Sequence, residues 1–147
     1  MGYTVVDSYY EQDSPVVEIG SAATNFTVAA GSKKNAWSRI GNRVWVNGLA
    51  NWSSKNGASG PLILKNACPY LLDTSILTFA SGTVIFIGTT EVIGAIKIRK
   101  ESDDLNFNFV LADVSTGVLT NLETSLCENV GYVEWSITYP IIPIRNN

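Results

Sequence analysis

The stretch Trp37–Trp52, WSRIGNRVWVNGLANW, constrains the fold more than any other part of the chain. In an extended chain Ile40, Val44, Val46, Gly48, Ala50 and Trp52 share one face, and Arg43, Trp45, Asn47, Leu49 and Asn51 share the other. A period of two belongs to a β-strand, because successive side chains leave opposite sides of the pleat. Gly41-Asn42 marks a pivot between the two halves.

The same pattern recurs along the chain. Leu105, Phe107, Phe109 and Leu111 oppose Asn106, Asn108 and Val110; Val133, Trp135, Ile137 and Tyr139 oppose Tyr132, Glu134, Ser136 and Thr138. Strands are predicted at Tyr3–Val6, Val16–Gly20, Thr24–Ala30, Trp37–Ile40, Arg43–Trp52, Pro61–Leu64, Thr83–Gly88, Val92–Arg99, Leu105–Ala112 and Tyr132–Pro140. Breaks are predicted at Gly31–Asn35, Ser53–Gly60, Ala80–Gly82, Thr89–Thr90 and Lys100–Asp104, with a long connection over Asp113–Gly131. Val118–Cys127 has room for a turn or two of helix at most. Short strands at this density predict an all-β fold, an antiparallel β-sandwich of jelly-roll type. Residues 1–13, with Tyr9, Tyr10, Glu11, Gln12 and Asp13 ahead of Pro15, read as a neck or linker, and residues 14–147 as the sandwich.

Hydrophobic residues make up 46% of the 147 and charged residues only 16%, against about 25% charged in an average soluble domain. Such a chain has apolar surface to spare. Thr83–Gly88 is apolar on both faces, as in a strand covered on both sides; a subunit interface accounts for both observations. No apolar run reaches the ~18 residues of a membrane span, so no membrane insertion is predicted. The net charge is −3, with Lys33-Lys34 and Lys97–Lys100 the densest basic positions. Phosphate binding needs clustered Lys and Arg, so a nucleic-acid partner is not expected. The N-terminus, with neither a basic nor an apolar segment, does not read as a signal peptide, and its Met-Gly start fits a piece of a longer chain. Without a secretory signal, Cys68 and Cys127 read as buried thiols. There is no histidine, which removes His-dependent nucleophilic triads and leaves a zinc site hard to build. No cofactor or metal is predicted.

The order of residues adds a further expectation. Pro15-Val-Val, Gly20-Ser21, and then Trp37-x-Arg39-Ile40-Gly41-Asn42-x-Val44-x-Val46-x-Gly48 resemble the C-terminal β-sandwich domain of tailed-bacteriophage tail fibres and tailspikes. A Gly/Ser-rich loop (Ser53–Gly60), a small apolar strand (Pro61–Leu64) and a closing strand (Tyr132–Tyr139) follow in the order usual for that family. Its usual Gly-Leu-Pro-Phe is replaced by Ala67-Cys68-Pro69-Tyr70. The resemblance implies a homotrimer at the distal tip of a fibre in the virion, assembled in the host cytoplasm. It also implies contact with a bacterial surface glycan or protein, or a role in locking the trimer.

No carboxylates are paired by the sequence for glycoside hydrolysis, although Glu91, Glu101, Asp103, Asp104, Asp113 and Glu134 are available. Asp104-x-Asn106-x-Asn108 opens like a calcium loop but has Phe109 and Ser115 where Gly and Glu belong. It reads as a turn entering a strand. Asn25-Phe-Thr27 and Asn51-Trp-Ser53 match the glycosylation pattern by chance. Trp52 and Trp135 fall on inward positions and are assigned to the core, while Trp45 is assigned to an interface with Arg43, Asn47, Ile85 and Ile87. A sugar site is expected in loops at one end of the sandwich. Its predicted members are Trp37, Lys55, Asn56, Lys100, Asp103, Asp104, Asn106 and Asn108. Hydroxyl donors and acceptors beside an aromatic ring are what a glycan needs. Three functions are therefore open: non-catalytic glycan recognition, a trimerisation or folding module for an upstream domain, and a carboxylate-based depolymerase.

Overall fold

The computed structural model describes residues 9–13, 17–90, 94–101 and 105–142. Among these, the strands are β1 (Tyr9–Asp13), β2 (Glu18–Gly20), β3 (Thr27–Ile40), β4 (Arg43–Ser54), β5 (Ile63–Lys65), β6 (Phe79–Thr89), β7 (Ala95–Glu101), β8 (Phe107–Asp113), β9 (Val118–Asn121) and β10 (Cys127–Pro140). They join one sheet in the order β1-β3-β4-β10-β6-β7-β8-β5-β2, with β9 on β8. Every pairing between them is antiparallel. The all-β expectation therefore holds. The sheet curls on itself: Lys33 Nζ of β3 lies 3.0 Å from Glu18 Oε1 of β2, seven places away in strand order. Among the described residues no helix is long and apolar enough to cross a membrane.

The core fills the inside of the curl. Phe26, Trp52 and Phe86 form a chain of tilted rings with centroids 5.3 and 5.5 Å apart. Phe86 continues edge-on to Phe109, and Phe107 of β8 meets Tyr139 of β10. These contacts tie β8 across the interior to β6 and β10, which lie two and three places from it in the sheet.

At the centre, β4 and β10 are locked by a reciprocal device. Gly48 pairs with Trp135 and Gly131 pairs with Trp52. A Cβ on either glycine would overlap the indole opposite it, so each ring lies flat over a residue with no side chain. The Trp135 indole N–H donates to Asn35 Oδ1 at 2.9 Å, and the Asn35 amide donates to the Ala67 carbonyl at 2.6 Å. The Trp52 indole N–H donates to the Glu128 carbonyl at 3.0 Å. Both buried indoles thus have partners, as buried polar groups require.

Several expectations need correction. The predicted break at Gly31–Asn35 lies inside β3: Val28 pairs with Trp52 and Lys33 with Ala50, so a bulge takes up the residues between them, Gly31 and Ser32 included, while Lys33–Asn35 pair with β4. Ala80–Gly82 is not a turn either, because β6 runs through it and pairs with β7. The Asp113–Gly131 connection contains β9, a 3₁₀ turn at Thr124–Leu126 and the start of β10. Ile40 is exposed and Arg39 buried, the reverse of the expected face. The two-residue Gly41-Asn42 turn pairs Ile40 with Arg43 and Arg39 with Val44. Cross-strand partners share a face, so the inward Val44 brings Arg39 inward with it. Gly41 takes φ 57°, a conformation glycine adopts without steric penalty. Of the stretch read as a neck, Tyr9–Asp13 forms β1 against β3. The predicted strand Tyr3–Val6 lies outside the described residues.

Candidate functional site

The outward face of β4, β10 and β6 is built by the positions that alternate with the core. Trp45 pairs with Thr138, Asn47 with Ser136, and Leu49 with Glu134; Glu134 in turn pairs with Ile85 and Tyr132 with Ile87. Trp45 is 36% exposed, Ile85 58% and Ile87 63%. Arg43 and Asn47 are exposed as well, and the Arg43 guanidinium donates to Thr138 Oγ1 at 3.0 Å. The five residues assigned to an interface therefore lie on one side of one ladder, open in the isolated chain. Over Gly48 the face dips into a groove of about 430 Å³ bordered by Asn47, Leu49, Ile85, Glu134 and Ser136. The Tyr132 hydroxyl donates to Glu134 Oε1, and this bond to a carboxylate raises the phenol pKa.

The residues predicted for a sugar site do not gather. Lys55 and Asn56 follow β4, beside the start of β10, whereas Lys100 and Asn106 flank the β7–β8 connection, beside the start of β6. Because β4, β10, β6 and β7 form a continuous antiparallel ladder, these are opposite ends of the sheet. Several of the groups are also engaged by the chain itself. Lys55 Nζ donates to the Thr124 carbonyl at 3.2 Å. The Asn56 amide donates to the Asn25 carbonyl and to Thr27 Oγ1, fixing the loop at φ 53°. Lys100 is enclosed, with Nζ donating to the Asn106 carbonyl at 3.1 Å and lying 5.3 Å from the centroid of Phe107. Trp37 is buried with its ring edge-on to Tyr70. Asn108 is half-buried on the outward side of β8. Asp103 and Asp104 lie outside the described residues. No group of three or more Cys, Asp or Glu arranged for a metal ion occurs among the described residues.

Other titratable groups have structural surroundings. Cys68 and Cys127 are buried and unpaired. Burial raises the Cys68 pKa and pushes that of Cys127 up to about 11, so both are neutral thiols at pH 7. Burial likewise raises the pKa of Tyr139, whose hydroxyl donates to the Tyr70 carbonyl at 2.8 Å. The Asp113 carboxyl is lowered by hydrogen bonds from the Ser115 hydroxyl and backbone, which close the turn before β9.

One polar cluster was missed in the sequence. Ser81 of β6, Arg99 of β7 and Asn108 of β8 stand abreast in consecutive registers, facing outward. The Arg99 guanidinium carbon lies 3.5 Å from the centroid of Phe79, itself 42% exposed. Glu101 Oε1 lies 3.7 Å from Arg99 Nε. The signal was present in Lys97-x-Arg99-x-Glu101 opposing Ile96-x-Ile98-x-Lys100, a period of two that also places Lys100 inside. The assumed turn at Ala80–Gly82 hid the partner strand. Comparison of the chain with protein-family models gives no match, and comparison with curated proteins gives none.

Proposed function

We propose that this chain is the distal domain of a phage tail fibre or tailspike, a homotrimer that attaches to a surface polysaccharide of the bacterial host without catalysis. In this reading the curled sheet acts as a sandwich-like unit at the tail tip of the virion. The observation that carries the proposal is the open outward face of one continuous sheet, on which exposed Trp45, Ile85 and Ile87 stand among the polar side chains of β4, β10, β6, β7 and β8. Exposed Ile85 and Ile87, on the same side of β6, and Trp45 farther along β4 suit contact with further copies. The resemblance to tail-fibre domains supports it on the residues that form the β3–β4 hairpin, Trp37 to Gly48. Asn108 is retained in the ligand surface; Lys55 and Asn56 lie too far along the ladder to join it. Multivalent display on a trimer would raise avidity without stronger single contacts.

The test is binding of the labelled domain to an array of bacterial surface polysaccharides, with its mass in solution measured in parallel. Saturable binding, competed by free glycan and without degradation of the glycan, is expected. The exposed Trp45, Ile85 and Ile87 favour a second reading, a trimerisation module for an upstream domain. That reading predicts a trimer that binds no glycan or cell.

A further inference from the structure

We infer that the outward face of β6, β7 and β8 binds the carboxylate of an acidic sugar residue, with Arg99, stacked on Phe79, as the anion-binding group. Ser81 and Asn108 flank Arg99 as hydrogen-bonding groups; the inference rests on the glycan-recognition reading above and names its site and ligand class.

Four features of the face support it. First, the scaffold is rigid: Arg99 pairs with Ser81 on one side and Asn108 on the other, in the middle of a ladder. Ser81 to Asn108 therefore spans about 10 Å, two strand spacings, the scale of a substituted pyranose. Second, the guanidinium is pre-placed by stacking on Phe79, which removes part of the ordering cost that a free arginine incurs on binding. Third, among the described residues its charge is weakly compensated. Nε is buried and has no hydrogen-bond partner, and the carboxylate of Glu101, 55% exposed, stands at 3.7 Å. A partly desolvated cation with a loose, solvated partner gains most from a second carboxylate. Lys97, two residues along the same face, adds positive charge. Fourth, the Ser81 hydroxyl and Asn108 amide make no hydrogen bond to the described residues, leaving a donor and acceptor set for sugar hydroxyls. A single arginine and lysine are too few for a polyphosphate chain, while the exposed part of the Phe79 ring beside the stacked guanidinium offers apolar contact to a pyranose.

The experiment is calorimetric titration of the intact chain with oligogalacturonate and with an α2,8-linked sialic acid oligomer, against a neutral maltooligosaccharide. The acidic oligomers are expected to bind and to weaken in about 0.5 M NaCl. Arg99→Gln should weaken them roughly tenfold or more, and Asn108→Ala or Phe79→Ala by less. Should Arg99→Gln fail to fold, the other two variants decide the matter. No binding of either acidic oligomer, or binding unchanged in the variants that fold, overturns the inference. Binding of neutral bacterial glycans alone overturns this site and leaves the glycan-recognition reading standing. Acidic oligomers held through Arg99, with no attachment of the chain to any bacterial surface, keep the site and remove the host-attachment reading.

Discussion

The two faces of the β4–β10–β6 ladder are made by alternate residues of the same strands, yet they are specified in different ways. Inside, Trp52 lies over Gly131 and Trp135 over Gly48, and each indole N–H has a fixed acceptor. Outside, Trp45, Leu49, Ile85 and Ile87 are comparable in apolar character, but no described residue of the chain covers Ile85 or Ile87. Sequence hydrophobicity alone does not distinguish the two. The difference teaches that an inner residue is defined by its counterpart across the sheet, whereas an outer one awaits a counterpart from elsewhere.

The sharpest way to break this contrast is to remove an inner indole. Trp52→Ala or Trp135→Ala is expected to destabilise the fold by about 3–5 kcal/mol, read from chemical unfolding. Filling the complementary space comes next. Gly131→Ala places a methyl group against the Trp52 ring, and overpacking of this kind costs about 1–3 kcal/mol. Asn35→Ala leaves the Trp135 N–H and the Ala67 carbonyl without their partner. The expected loss is again about 1–3 kcal/mol, and a variant as stable as the parent would show that water replaces the amide.

On the outer face the expected effect on the isolated chain is small. Ile85→Ser and Ile87→Ser should each change its stability by roughly 0.5 kcal/mol or less. Combined with Trp45→Ser they should reduce the mass in solution from that of the proposed trimer to that of a monomer. A parent chain that is already monomeric at working concentration would remove the assembly role of this face. A last effect, confined to alkaline solution, concerns pH. Burial holds the Cys127 pKa at about 11, above the ~8.5 of an unfolded thiol. The fold therefore favours the protonated form, and the contribution is complete below about pH 8.5 and lost as pH rises through 11. Urea midpoints should fall over that window in the parent and fall less in Cys127→Ala.

Much of the fold was legible because one-sided burial writes a period of two into each strand. Val44, Val46, Ala50 and Trp52 are buried as their alternation required, as are Phe107, Phe109, Val133, Trp135, Ile137 and Tyr139. Strand ends were less legible. Glycine, serine and lysine at Gly31–Asn35 and Ala80–Gly82 have the composition of turns, but ladder pairing of Lys33–Asn35 with β4 and of Ala80–Gly82 with β7 keeps the strands running. The candidate site suffered most. Lys55 and Lys100 look alike as sequence, yet one caps a loop and the other is sealed beside Phe107, because alternation and closure act on Lys100 alone.

What the amino-acid sequence determined by itself is local: which residues alternate, where Gly41-Asn42 reverses the chain, and that no histidine chemistry is present. Only the tertiary structure decided which strands are neighbours, that Arg39 turns inward while Ile40 turns out, and that Phe79, Ser81, Arg99 and Asn108 meet on one face. The physical reason is that alternation sets the side of a strand from which a side chain leaves. Its company on that side is set by the register of long-range hydrogen bonds, which involve residues far apart along the chain.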